Sequence, residues 1–104
     1  MYAQVLEAIK NGAHIIELQE DVESGKVALT SIPGYTYNLR VLGYDVVQTA
    51  PYKEHIATRK DGSKFTRKIG MTIFYNGKTI PIENRPKPGA RSVSVDEGID
   101  GVSN

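Results

Sequence analysis

Two histidines, His14 and His55, stand far apart and bear no spacing relation to each other or to an acidic pair, so they form no metal-ligand pattern. Gly25-Lys26 could close a phosphate-binding loop only with a glycine five residues earlier and Ser or Thr next. Glu20 and Val27 occupy those places. No Gly-x-Ser-x-Gly nucleophile elbow occurs, and the absence of cysteine removes thiol nucleophiles, disulfides and Cys-based zinc sites together. Glu20, Asp21 and Glu23 cluster as acids do at a solvated turn or a helix start. The residue types therefore lead us to expect no catalytic group, no metal and no cofactor.

One constellation remains, and it is cationic. Lys53, Arg59, Lys60, Lys64, Arg67 and Lys68 fall within sixteen residues, on or beside Asp61-Gly62. Asp-Gly between strand-forming runs is a hairpin signal. On the second strand Lys64 and Lys68 share one face, and Phe65 and Arg67 share the other. A cationic hairpin tip can cross a phosphate backbone without demanding a base. Lysines also protect exposed strand edges from pairing, so both uses stay open. The net charge of +1 conceals an uneven distribution. Residues 1–50 carry three basic and six acidic groups, residues 51–91 ten and three, and residues 92–104 only three acids. An anionic partner for the middle block fits this pattern, and so does head-to-tail self-association.

A chain of 104 residues fills one core. Its 39% apolar content suits a globular protein, and no run approaches the roughly 18 apolar residues of a membrane span. The first residues have neither a basic n-region nor an apolar h-region, and with no cysteine the expectation is a cytoplasmic protein without a membrane role. Tyr2, Val5, Leu6 and Ile9 follow helical spacing, and Asn11-Gly12 suits a helix stop. Ala13 to Leu18 could be a short strand or a helix entry. His55–Arg59 and Lys64–Ile69 flank the Asp61-Gly62 turn. Met71–Tyr75 reads as a further strand, with Gly70 as a bulge or break. Asn76-Gly77 predicts another turn into Lys78–Ile82, where Pro81 suits an edge. The globular domain is expected over residues 1–84, with 85–104 as an extended or disordered tail.

Residues 19–49 fit two periods. Tyr35, Tyr37, Leu39 and Val41 alternate as a half-buried strand would, giving a β-rich antiparallel sheet with one N-terminal helix. Ile32, Tyr35, Leu39 and Leu42 also form a helical stripe, with Gly43 where a helix stops. Under the helical parse the order is helix, short strand, helix, turn, helix, strand, basic hairpin, strand. That order resembles a winged helix-turn-helix domain, an α+β fold. The likeness is carried by Val27–Pro33, Thr36-Tyr37 and Leu39–Val47 together with the hairpin. It implies a non-enzymatic nucleic-acid-binding domain, regulatory or accessory and most simply for DNA. Tyr35, Thr36 and Asn38 would face base edges, Arg40 would lie on the backbone side, and the hairpin would contact phosphates. The alternative is a small oligomeric module that holds a protein or an anionic ligand and has no nucleic-acid role.

Overall fold

The computed structural model describes residues 1–88, and every structural statement below concerns them. Helix α1 (Tyr2–Lys10) buries Val5 and Ile9 and packs Tyr2 and Leu6 partly against the same core. It ends as Asn11-Gly12 suggests. Gly12 takes φ 97°. Its N–H reaches the Ile9 carbonyl at 3.0 Å, and the Ala13 N–H reaches Ala8 at 2.9 Å. That paired closure is the Schellman stop, which needs the left-handed angle glycine adopts freely.

Strand β1 (Ile15–Glu17) leads into a short helix, α2 (Gln19–Glu23), and then into α3 (Ile32–Val41), which a 3-10 turn at Leu29–Ser31 precedes. The helical period wins over 32–41. Pro33 sits in the first turn, where its missing N–H costs nothing, and Ile32, Thr36 and Leu39 are buried. Leu42 does not belong to the stripe. It lies at the helix end and is 49% exposed, while Thr36 takes the fourth inward position.

The sheet has three antiparallel strands in the order β1-β3-β2, with β2 spanning Tyr44–Thr58 and β3 Lys64–Thr79. The protein is thus an α+β domain of three helices and one antiparallel sheet. Val46, Ile69, Met71 and Ile73 face the helices and close the core with Ile32, Leu39, Val5 and Leu18. No helix among the described residues is long and apolar enough to cross a membrane.

One turn signal behaves differently from expectation. Asn76-Gly77 does not reverse the chain: β3 continues through it, and the register slips from Val46↔Tyr75 to Tyr44↔Thr79. Gly77 still takes a positive φ of 83°, the Asn76 amide donates to Asp45 Oδ2 at 2.7 Å, and Asn76 Oδ1 accepts from the Lys78 N–H at 2.8 Å. The same chemistry that makes a hairpin turn here makes a bulge. At Gly70, of the two expectations, the bulge is found and the break is not. The glycine lies inside β3 opposite a bulge in β2, where Thr49 pairs Thr72 and Tyr52 pairs Gly70, leaving one extra residue on β2. A Cβ at Gly70 would stand 2.6 Å from the Thr49 carbonyl oxygen, so glycine permits that close approach. Of the expected tail, Arg85 donates from Nε to the Ile80 carbonyl at 2.8 Å, and the Tyr37 hydroxyl donates to the Lys87 carbonyl. Residues 89–104 lie outside the described residues.

Candidate nucleic-acid interface

Beyond Gly70, β1 is absent and β2 and β3 continue alone as a two-stranded ribbon. Seven residues on each strand, 52–58 and 64–70, carry it about 23 Å at 3.3 Å per residue. Its turn is closed by Arg59 N–H to the Ser63 carbonyl at 2.7 Å and Gly62 N–H to the Arg59 carbonyl at 3.0 Å. Gly62 has φ 90°. Asp61 Oδ1 accepts from the Ser63 hydroxyl at 2.7 Å and from its N–H at 2.9 Å. These bonds, the hydroxyl first, hold the Asp61 carboxyl below its ordinary range. The one acid at the tip is thereby tied into the turn.

The register sorts the cations by face. Ile69 faces the helices, and Arg67 and Phe65 follow it on the same side of β3. Their partners are Lys53, His55 and Ala57, so these share the helix side. Arg59 joins it, because its guanidinium carbon lies 4.4 Å from the centre of the Phe65 ring. Lys64 and Lys68 point the opposite way, with Tyr52, Glu54 and Ile56. Lys60 sits in the turn. The six expected cations therefore do not form one track: three line the helix side, two the outer side, and one the tip.

None of them makes an ion pair among the described residues, although Asp61 at the tip feels the charge of Arg59 and Glu54 stands opposite Lys68. The helix side of the ribbon holds no acidic residue, since Glu54 pairs with Lys68 on the other face. Among the described residues the one ion pair is Arg40 Nη1 with Asp45 Oδ1 at 3.4 Å, away from the ribbon. Arg67 is half-buried, and its Nε is shielded with no hydrogen-bond partner among those residues.

The residues expected on α3 fare unequally. Thr36 is corrected: it is 7% exposed, and its hydroxyl donates to the Ile32 carbonyl at 3.1 Å, so it offers no surface to a ligand. Tyr35 is half-buried against the core, with its ring 5.8 Å from that of Tyr2. Burial first, and the nearby Tyr44 second, raise the Tyr2 phenol above its ordinary range, so this contact stays neutral. Asn38 is exposed, and its side-chain amide makes no hydrogen bond among the described residues. Arg40 is turned inward to Asp45 and to the Val46 carbonyl, 3.1 Å away. His14 is occupied by Tyr75, with Nδ1 2.8 Å from its carbonyl oxygen and the two rings stacked. Sequence reasoning missed the Phe65 platform under Arg59, although the loop length and strand alternation place the two residues together.

Comparison of the chain with models of known protein families, with curated proteins and with solved structures finds no match.

Proposed function

We propose that the protein is a cytoplasmic, non-enzymatic nucleic-acid-binding domain of winged-helix type, which uses the helix side of its ribbon on phosphates. The observation that carries this reading is the ribbon itself: Lys53, Arg59 and Arg67 on one face with no acid on that face, and Lys60 at the tip beside Asp61, whose carboxylate is tied into the turn. The element order, with β3 between β1 and β2 and α3 packed on the face those cations share, supports the winged arrangement. Duplex DNA is the preferred partner, with Asn38 the group on α3 exposed for a base edge. Arg59, held over the Phe65 ring, spends less side-chain entropy on meeting a phosphate than a free arginine does.

The test replaces Lys53, Arg59, Lys60 and Arg67 together with alanine and follows binding to several duplexes across a salt series. Affinity should fall alike on every sequence, and the slope of log affinity against log salt should flatten by about one unit for each phosphate that is no longer neutralised. Equal affinity before and after the change, in a protein that melts as a folded domain, overturns the proposal.

A further inference from the structure

The helix side of the ribbon gathers Lys53, Arg59 and Arg67, with no carboxylate among the described residues of that face. Asp61 at the tip is tied into the turn. The outer face is mixed, since Glu54 stands opposite Lys68 there, and Arg40 is paired with Asp45. An unbalanced cationic face attracts an acidic segment tethered to it, because tethering raises the effective concentration, to about millimolar for a short connection.

The chain supplies such a segment. Beyond the described residues, 89–104 carry Asp96, Glu97 and Asp100 against a single cation, Arg91. The last described residues set where it starts. The Ile80 N–H reaches the Gly43 carbonyl at 2.7 Å, the Arg85 guanidinium lies beside Gly43, and the Tyr37 hydroxyl donates to the Lys87 carbonyl. Gly43 follows the end of α3 and Tyr37 lies one turn inside it, so the chain passes back along that helix. Because α3 shares one core with Val46 and Ile73, the chain leaves on the cationic side of the sheet. A chain spans at most about 3.3 Å per residue, so Asp96 can reach about 30 Å from Lys87, and Asp100 about 43 Å. Even counted from Gly43, Lys53 lies ten residues along β2, about 33 Å, and Arg67, opposite His55, about 40 Å. The acids can reach the cations.

We propose that residues 89–104 lie over the helix side of their own ribbon, with Asp96, Glu97 and Asp100 among Lys53, Arg59 and Arg67, and that nucleic acid must displace them. The displacement rests on the nucleic-acid reading above, whereas the contact itself does not. Exposed ion pairs are individually weak, so three together favour the docked state by about three- to thirtyfold. Such a contact grades the affinity for phosphate without abolishing it.

The chain has no cysteine, so Ser94→Cys takes a single nitroxide label in the full chain. Paramagnetic broadening of the Arg59 and Arg67 side-chain NMR signals is expected at low salt. It should fade in 1 M salt, where the screening length falls to about 3 Å. Asp96→Asn, Glu97→Gln and Asp100→Asn together should reduce the broadening sharply while leaving the melting temperature near the parent's. In the unlabelled protein the same three changes should tighten duplex binding about three- to thirtyfold near physiological salt. A label that broadens no ribbon signal, or broadens it equally in the neutralised variant, overturns the proposal. So does broadening passed to unlabelled molecules in a mixed sample, which puts the segment on a second copy. Unchanged duplex affinity in the neutralised variant overturns the displacement. Broadening in a protein that binds no duplex at any salt upholds the contact and overturns the nucleic-acid reading instead.

Discussion

Replacing Gly70 by alanine sets a methyl group against the backbone of Thr49. Its Cβ would lie 2.6 Å from the Thr49 carbonyl oxygen and 2.9 Å from the Thr49 nitrogen, and neither atom can swing aside as a side-chain end would. Gly70 does not have a positive φ, so the cost is steric alone. Overpacking of this kind costs about 1–3 kcal/mol. For a domain of this size each kcal/mol moves the melting temperature by about 4–8 °C, so Tm should fall by about 4 to 24 °C. Gly34 supplies the opposite control: it lies within α3, and a Cβ there meets nothing within 4 Å. Gly34→Ala should gain up to about 0.5–1 kcal/mol from helix propensity. Thermal unfolding followed by circular dichroism reads both. If Gly70→Ala melts with the parent, or both variants shift the same way, the close approach at the bulge is not what holds the ribbon on the body.

Leu39→Ala should cost about 2–5 kcal/mol in urea unfolding, and Leu42→Ala within about 0.5 kcal/mol; equal losses would mean that the phase of α3 is wrong. Ser63→Ala removes the hydroxyl bond to Asp61, so an NMR titration should find that carboxyl moved back up towards its ordinary value. Because the folded pKa is depressed, the turn's contribution is present above the unfolded value and fades as pH falls through the folded one. An Asp61 titration identical in parent and variant sinks that explanation of the tip. Asn38→Ala should change preference among duplex sequences while leaving the salt slope nearly intact, and an unchanged preference removes Asn38 from base contact.

Local chemistry made some elements legible and left others open. The stop of α1 needs little beyond Asn11-Gly12, and the ribbon turn little beyond Asp61-Gly62, because both are set within a few residues. Residues 32–41 fit two periods, and what separates them is tertiary: Ile32 and Leu39 must reach Val46 and Ile73, which lie on strands formed later in the chain. Asn76-Gly77 is turn chemistry that a continuing strand absorbed as a bulge, and nothing local distinguishes the two outcomes.

The six cations were visible from composition, but their phase on β2 was not. Before the bulge, Val46 and Gln48 face the helices; after it, Lys53 and His55 do, because one extra residue shifts the alternation. Without that residue, Lys53 would point to the outer face. Thr36 illustrates the reverse problem, a polar residue buried at a helical core position by a bond to its own helix, which polarity alone cannot reveal.

Phosphate binding by the helix side of the ribbon is the central claim. The affinity of the unmodified protein for duplex DNA, measured from low salt upward, bears on it directly. Contacts from Lys53, Arg59, Lys60 and Arg67 predict a log–log slope of about −3.6 per protomer, at about 0.9 for each phosphate neutralised. Binding that is absent at low salt, or present with a slope near zero, would contradict it.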